Sequence, residues 1–503
     1  MSITPVKEIT RMSAKPNTTD WKSVNLKKTK RHVTNLQRRI YLASKNGDKK
    51  KVRDLQRQLV MSYSATVQAV HRVTVINKGK LTPGINGFKA TNDKERGTLV
   101  DTILQENIKQ HKPKPAYRTY IPKKNGKMRS LGIPTIKDRI YQEIIRMALE
   151  PEWEAKFEPI SYGFRPKRRQ HDAISRIYYN IRSGAWCWIF EGDFKSCFDT
   201  LSHDFILKQL KGFPYINVVK RFLEAGYVDN GAFNETEEGT PQGGILSPLL
   251  ANIALHGMED ALNISYKKTH TTNKKGEEKE RYRPTGKYRM VRFADDFVIF
   301  AKSKKDIIKV YELLEPYLNE RGLILAEDKT RITHLNEGFD FLGFNCRRYK
   351  DRVSRIKPSK DSIKKFKEKC GEIFKSANGN NVKALISRLT PVIRGTANYW
   401  RYSVIHDVFS DMDYYLWNKI YKFLRKLHPN KSWKWIKNRY FTHHEDNYGH
   451  VSNWVLIAPK SDVFLIKMTW FRHRDYIMIK HDYSPYDRTK IDYFQNREEN
   501  YYY

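Results

Sequence analysis

The stretch Arg292-Phe293-Ala294-Asp295-Asp296-Phe297-Val298-Ile299-Phe300 places two adjacent acids inside an apolar, β-forming run. Burying two carboxylates among such neighbours is unfavourable unless a metal ion or hydrogen bonds compensate. Because adjacent residues of a strand point to opposite faces, a tight turn between two strands is the natural way to present Asp295 at a surface. The stretch predicts a strand-turn-strand unit carrying a nucleotidyl-transfer site. Taken alone, it also fits an acidic hairpin turn at a sheet edge.

A second apolar run ends at an acid about one hundred residues upstream, in Ile189-Phe190-Glu191-Gly192-Asp193-Phe194. Two strand-end carboxylates from distant segments, Asp193 and Asp295, can hold two Mg²⁺ ions roughly 4 Å apart, which activates a 3′-hydroxyl and stabilises a leaving pyrophosphate. Oxygen ligands without a His or Cys cluster favour Mg²⁺ over Zn²⁺.

The segment between these acids contains Gly239-Thr240-Pro241-Gln242-Gly243-Gly244-Ile245-Leu246-Ser247-Pro248. Its glycines allow the backbone to approach a ligand closely, and the Gln242 amide offers both a donor and an acceptor. The segment is therefore a candidate part of the same site.

The composition indicates a nucleic-acid-binding protein of several domains. A chain of 503 residues is expected to form two to four domains. Its 94 Lys and Arg against 55 Asp and Glu give a net charge of +39, which favours a polyanion over a membrane surface as partner. No apolar run approaches a membrane span and no secretory signal precedes Trp21, so we expect a soluble, non-secreted protein. Four widely spaced cysteines argue against a zinc site and for a reducing compartment.

Residues 1–84 are predicted to form a basic helical N-terminal extension. Apolar residues recur at helical spacing on both sides of the turn Asn46-Gly47-Asp48. Either the basic side chains form a solvated helical face, or they form an arm that contacts RNA. The candidate RNA-binding residues are Lys27, Lys28, Arg31, Arg38 and Arg39.

The rest of the chain divides into three parts by composition. Residues 85–345 mix short β-like runs with longer helical patterns, which indicates an α+β domain. Within them, the polar stretch 266–287 is predicted to be a flexible hairpin or loop. From residue 347 to 370 the chain changes to basic, helix-like sequence. The tail from about residue 433 interleaves aromatic and basic residues in a way suited to single-stranded or irregular RNA, although any one ring, Trp435 and Trp454 among them, also fits a core position.

Seven motifs in order resemble those of group II intron-encoded reverse transcriptases, also called maturases, and the resemblance extends from about residue 20 to 500. They are Tyr120–Thr135, Ser161-Tyr162-Gly163-Phe164-Arg165-Pro166, the Asp193 run, Thr240–Pro248, Phe293–Asp296, Gly322–Thr330 and Gly338–Phe344. The run Pro391-Val392-Ile393-Arg394-Gly395-Thr396-Ala397-Asn398-Tyr399 resembles the thumb, or X, motif of the maturases.

The resemblance implies a right-hand polymerase. Fingers and palm, with an antiparallel sheet, would span 85–345, an α-helical thumb or X (maturase) domain 346–432, and a basic, DNA-binding-like region 433–503. Asp193 and Asp295 would bind two catalytic Mg²⁺ ions, with Asp296 beside them and the Phe194 carbonyl as a further ligand.

The resemblance also implies a nucleotide-binding set. Lys123 and Arg129 would hold the incoming triphosphate, as a point charge and a fork-shaped donor respectively. Phe198 would lie under the sugar and exclude a 2′-hydroxyl, Gln242 would line the pocket, and Lys329 would lie nearby. Each cation taken individually also fits a solvated surface charge.

Three departures from the family pattern stand out. Phe293 replaces the usual Tyr of the Tyr-Ala-Asp-Asp box and keeps the ring, and Thr396 replaces a frequent Trp in the thumb motif. Many relatives continue into an HNH endonuclease with paired cysteines and histidines, and no such pairs occur here. We expect that the chain does not cut the second DNA strand.

The predicted activity is RNA-directed DNA synthesis, with intron RNA, a DNA target or primer and dNTPs as partners. The enzyme would assist intron splicing and copy the intron into DNA during mobility, as a ribonucleoprotein in the bacterial cytoplasm or in an organelle. A splicing-only RNA-binding maturase, and a polymerase recruited to DNA repair or antiviral defence, are the alternatives. The sequence leaves open whether the protein is a monomer or a homodimer.

Overall fold

The computed structural model describes residues 19–122, 126, 128–240, 243–272, 278–377, 381–445, 449 and 451–502. No helix in these ranges is both long enough and apolar enough to cross a membrane.

The N-terminal region is helical. Its α-helices are α1 (Leu26–Lys45), α2 (Lys49–Val60), α3 (Tyr63–His71) and α4 (Asp93–Gln105). The prediction of helices around residues 46–48 is confirmed, because Gly47 adopts a φ of 74° in the turn and the Asp48 side chain accepts from the Lys51 amide to start α2. The apolar face of α1 includes Val33, Leu36 and Ile40, which are buried.

The following region mixes helices and strands. In chain order its elements are β1 (Ala116–Pro122), β2 (Met128–Ile133), α5 (Ile136–Glu154), α6 (Gln170–Ile181), β3 (Trp188–Gly192), α7 (Cys197–Thr200), α8 (His203–Gln209), α9 (Ile216–Leu223), β4 (Tyr227–Asp229), β5 (Ala232–Asn234), α10 (Ser247–Ala254), α11 (Met258–Ala261), β6 (Tyr266–Thr272), β7 (Glu278–Pro284), β8 (Tyr288–Phe293), β9 (Asp296–Ala301), α12 (Lys304–Ile308), α13 (Val310–Arg321), β10 (Arg331–His334) and β11 (Phe339–Phe341).

Two four-stranded sheets organise this region. One has the order β2-β1-β4-β5, and the other, the palm sheet, has the order β10-β3-β9-β8 with antiparallel neighbours throughout. The inner strands β3 and β9 are apolar because helices cover the sheet, and Ile189, Phe190, Ile299 and Phe300 are fully buried. The sheet therefore carries the acids at the ends of rigid strands. The polar stretch 266–287 forms the β6–β7 hairpin, one of the two predicted structures.

The basic stretch from residue 347 to 370 is only partly helical. Strand β12 (Phe344–Arg348) pairs with β11 and with β13 (Ser354–Pro358), and helix α14 (Lys360–Ser376) begins only after them. The helical prediction was wrong for 347–358, because alternate residues there, namely Ser354, Ile356 and Pro358, are buried in strand periodicity.

The C-terminal part is mainly helical. After α14 come α15 (Val382–Trp400), α16 (His406–Leu427), α17 (Trp433–Tyr440), the hairpin β14 (Phe441–Glu445) and β15 (Val451–Leu456), and the last helix α18 (Ile491–Tyr502). The segment that includes α18 returns to the palm. There Arg497 donates to both carboxylate oxygens of Asp172 on α6, at 2.5 and 2.6 Å, and both side chains are buried.

Candidate active site

Asp295 lies in a two-residue turn between β8 and β9. The last pair of the antiparallel ladder joins Phe293 to Asp296, which leaves Ala294 and Asp295 as the loop. Ala294 adopts a left-handed φ of 58°, as such tight turns require. The predicted strand-turn-strand unit is present in the structure.

A buried arginine supports this turn from below. Arg292 is 0% exposed, and its Nη1 donates to the Ala294 carbonyl and to Asn252 Oδ1, each at 3.1 Å. Its Nη2 lies 3.6 Å from Glu158 Oε2, so the two buried charges compensate one another. The guanidinium thus holds the turn backbone in place.

The Ser161–Pro166 motif packs directly under the same turn. A Cβ on Gly163 would lie 2.2 Å from the Ala294 nitrogen, so only glycine allows this approach. The Tyr162 amide donates to the Arg292 carbonyl at 2.9 Å, which fixes the motif to strand β8. The motif therefore acts as a support for Asp295.

Asp193 follows the central strand β3 on the same edge of the sheet. Its carbonyl accepts from the Ala326 amide at 2.8 Å, and Phe194 next to it forms an antiparallel bridge with Leu325. The Asp193 carboxylate is ion-paired with Lys329, whose Nζ lies 2.5 Å from Oδ2. The structure thus brings Lys329 to the acids, where the sequence predicted it nearby.

The three acids influence one another electrostatically. Loss of hydration, followed by the negative charges of Asp295 and Asp193, raises the pKa of Asp296 to about 6, although its side chain is exposed at the rim. Loss of hydration is also the largest cause of the raised pKa of Asp295. Asp193 raises it further, while a hydrogen bond to its own backbone, Arg129 and Lys329 oppose the shift. The site has more negative charge than its own cations neutralise.

This donor set fits a hard divalent cation. Carboxylate oxygens are the ligands that Mg²⁺ prefers, and repulsion among the acids would be relieved by a bound cation. Within the described ranges, no three His, Cys, Asp or Glu side chains lie close enough together to form a metal cluster as they stand. The Lys329 ammonium contacts Asp193 Oδ2, so a metal ion that used this oxygen would have to displace it.

Phe198 lies on the short helix α7 and is buried. Its carbonyl accepts from the Thr240 amide at 2.5 Å, and its ring meets the Phe164 ring edge to face at 6.3 Å. The backbone around Gly243 lies against β2, since a Cβ there would be 2.5 Å from the Gly132 carbonyl oxygen. The glycine-rich segment therefore joins the palm to the β1–β2 hairpin. Gln242 itself lies outside the described residues.

The β1–β2 hairpin carries Arg129, one of the two predicted triphosphate-binding cations. Arg129 pairs with Ile121 across the hairpin and is close enough to Asp295 to lower its pKa. Lys123 lies outside the described residues. A cavity of about 530 Å³ lies on the side of the hairpin lined by Met128 and Ser130 and reaches Phe198, and none of the three acids lines it.

The five predicted RNA-binding residues lie on α1. Lys27, Lys28, Arg31 and Arg39 are exposed, and Arg38 is half-buried. Several of them line a groove that the chain segment around Arg488 closes from the other side. Arg488 and the supporting Arg292 were not predicted. Alternate residues of a strand point to the same face, and Arg292 falls at a position of strand β8 that faces the core. That position was the sequence signal for a buried, paired cation.

Family comparisons assign three segments of the chain. Residues 121–346 match the model described as reverse transcriptase (RNA-dependent DNA polymerase), residues 21–103 the N-terminal domain of reverse transcriptase, and residues 363–441 the maturase-specific domain of group II introns. The chain belongs to the group II intron reverse transcriptase and maturase family. The acids described above lie within the polymerase match, and α1 lies within the N-terminal match.

Comparison of this reverse transcriptase with individual proteins supports the same family. Protein YkfC of Escherichia coli is 35% identical over 57% of this chain and 81% of its own length. The group II intron-encoded protein LtrA of Lactococcus lactis is 36% identical over 54% of this chain, and the match spans about half (53%) of its length. Candida albicans telomerase, solved with a fragment of telomeric RNA, aligns over 66% of this chain and 61% of its own at 15% identity and a TM-score of 0.36, a likeness too distant to assign function.

Proposed function

We propose that this reverse transcriptase is a Mg²⁺-dependent, RNA-directed DNA polymerase that acts on group II intron RNA and also assists its splicing. The observation that carries the proposal is the meeting of Asp193 and Asp295 at one edge of the palm sheet, with Asp296 beside them and a displaceable Lys329 cation between acid and solvent.

The two acids would hold the metal ions, with the Phe194 carbonyl as a further oxygen ligand. Bound Mg²⁺ would lower the pKa of the primer 3′-hydroxyl and neutralise charge on the leaving pyrophosphate. The residues of the chain supply position: Arg292 and Gly163 hold the Asp295 turn, and the Leu325 bridge holds Asp193 beside it. Lys329, once released from Asp193, would be free to face the triphosphate.

The nucleotide would bind between the β1–β2 hairpin and α7. Arg129 would contact its phosphates, since it lies on the β1–β2 hairpin close enough to Asp295 to lower its pKa, and Lys123 would be the second phosphate contact. Phe198 would lie under the ribose, and Gln242 would line the pocket, since its neighbours Thr240 and Gly243 contact α7 and β2 respectively. A rigid ring below the sugar would exclude a ribonucleotide by its bulk.

The intron RNA would bind through the N-terminal arm and the thumb. The match to the maturase-specific domain over 363–441 supports a splicing role, and the exposed cations of α1 support contacts to phosphates. The basic region 433–503 would contact the DNA target. The splicing-only alternative is less favoured because all three acids are present, and recruitment to repair or defence would leave the maturase match without a role.

The experiment compares Asp295→Asn with wild type in primer extension on an RNA template and in RNA binding. We expect extension to fall at least about a hundredfold, the typical cost of losing one transition-state contact, while binding is unchanged. Equal loss of both in a folded variant would contradict the assignment. Acceleration of host-intron excision at low Mg²⁺ by both proteins would support the splicing role, and no acceleration would refute it.

A further inference from the structure

The end of the palm sheet opposite the acids carries aromatic rings in contact with cations. The Arg289 guanidinium lies 4.2 Å from the centre of the Trp186 ring, and Lys302 Nζ lies 5.2 Å from it. Two residues further along each strand segment, Lys304 Nζ lies 5.6 Å from the centre of the Trp188 ring. Cation–π contacts hold these charged groups in place on half-buried aromatic rings.

The β12–β13 hairpin continues this surface. The Tyr349 ring has three cations within 6 Å of its centre, from Arg347 at 5.8 Å and from Arg355 and Lys357 at 5.4 Å each. The Arg348 guanidinium lies so close to Gly184 that a Cβ there would meet it at 2.6 Å. The hairpin and the segment before β3 therefore form one face. We call it the distal basic surface: Trp186, Trp188, Arg289, Lys302, Lys304 and 347–357.

Most of the exposed cations on the distal basic surface lack an acidic partner. Lys302, Lys304, Arg347 and Arg352 form no ion pair with a carboxylate anywhere in the part of the chain that the structure describes, whereas Arg355 pairs with Asp351 at 2.5 Å. A group of ordered, unneutralised cations repels itself unless a polyanion binds. The surface is thus built for a charged partner.

This surface is separate from the active site. Trp188 begins strand β3 and Asp193 follows its end, so the two lie roughly 16 Å apart along the strand. Strand β9 likewise runs from Asp296 to the residue before Lys302. The same two strands therefore carry the acids at one end and the distal basic surface at the other, away from the region next to the acids where primer and template would bind, here called the cleft.

We propose that the distal basic surface binds a second segment of RNA through its phosphates while the cleft holds primer and template. The choice of RNA as the polyanion rests on the proposed function; the presence of the surface does not. Because the rings already contact the protein's own cations, they hold charges in place, and recognition is of the backbone rather than of bases. Binding is therefore insensitive to sequence and strongly dependent on salt.

The test replaces three exposed, unpaired cations in the variant Lys302→Gln, Lys304→Gln, Arg352→Gln. Binding of a 5′-labelled single-stranded RNA of mixed sequence is measured from low to moderate salt, with a blunt primer–template duplex saturating the cleft. If each cation neutralises one phosphate, the slope of log K against log salt falls by about 2, at roughly 0.7 per phosphate. Extension of a short primer–template should stay at the wild-type rate.

A matched variant, Lys89→Gln, Lys94→Gln, Lys211→Gln, removes the same charge from exposed positions elsewhere. An unchanged slope in the distal variant, or an equal fall in the matched one, overturns the proposal. Loss of binding to phosphatidylserine vesicles without loss of RNA binding would assign the surface to membranes instead. Failure of the wild-type protein to extend any primer would refute the polymerase function. The salt slope of RNA binding would still test the distal basic surface on its own.

Discussion

Lys329 Nζ lies 2.5 Å from Asp193 Oδ2, so the aspartate that follows strand β3 is ion-paired with a lysine of the protein itself. Asp193 raises the pKa of this lysine, chiefly through their hydrogen bond, and the ammonium in turn lowers the pKa values of Asp295 and Asp296. Lys329 thus compensates all three acids, together with Arg129 at Asp295, and a metal ion that bound Asp193 Oδ2 would compete with this lysine.

Removal of the Lys329 cation should shift the pH profile of primer extension. In Lys329→Met the acids lose their nearest compensating charge, so the pKa values of Asp295 and Asp296 rise and the acidic limb of the extension profile moves to higher pH. Lys329→Arg keeps the charge and should leave the limb near its wild-type position. Identical limbs in wild type and Lys329→Met would show that the pair has no such role.

The Mg²⁺ requirement should depend on pH. Since the folded-state pKa of Asp296 is about 6, above its ordinary 3.8, protons are held more tightly in the folded, metal-free protein. Lowering the pH through 6 protonates Asp296, which stabilises the folded, metal-free protein. The bound proton then competes with Mg²⁺ for this carboxylate. We expect the apparent Mg²⁺ affinity in primer extension to weaken below pH 6.

The control for this pH dependence is Asp296→Asn. It removes the group that titrates near 6, so the loss of Mg²⁺ affinity should begin at lower pH. Thermal unfolding without metal adds a second measurement, in which the variant should be more stable than wild type at pH 7.5. A variant with the wild-type pH dependence would assign the titration elsewhere.

Sugar discrimination should depend on the bulk of the Phe198 ring. Phe198→Ala should raise the ratio of kcat/KM for ribonucleotides to that for deoxyribonucleotides by about 10- to 200-fold, the range for a pocket that gains a small group's space. Phe198→Tyr keeps the ring and should keep the selectivity. Single-nucleotide incorporation on an RNA template measures both, and an unchanged ratio in Phe198→Ala would remove this residue from the gate.

Arg292 should be essential for stability. Arg292→Met leaves the buried Glu158 carboxylate without its cation, at a cost of about 3–5 kcal/mol in the free energy of unfolding. Lys208→Met breaks an exposed pair with Glu320 and should cost less than about 1 kcal/mol. Urea unfolding compares the two. Similar costs would mean that burial of the Arg292 pair contributes nothing.

The return of the C-terminal helix to the palm should be measurable at Arg497. Arg497→Ala leaves Asp172 buried and unpaired, at a cost of about 3–5 kcal/mol in the free energy of unfolding. The double variant with Asp172→Ala should recover part of that cost. Lys167→Ala, which loses only the exposed contact with Glu498, is the matched control and should change stability little. Additive single and double effects would contradict a direct pair.

Local patterns predicted the helices around residues 46–48 and the strand-turn-strand unit at Asp295, because periodicity and turn chemistry act over a few residues. They failed at 347–358, where a basic composition suggested helix but pairing with β11 and core burial imposed strands. Lys123 and Gln242 lie outside the described residues, so their assigned roles stay predictions.

The sequence by itself determined the chemistry available to this protein: acids at strand ends, an excess of cations and the ordered motifs of a reverse transcriptase. Only the tertiary structure decided which charges meet. Lys329 reaches Asp193 across 136 residues, and Arg497 reaches Asp172 across 325. Such pairs leave no local periodicity, because their energy depends on burial and on distances set by the packing of remote elements.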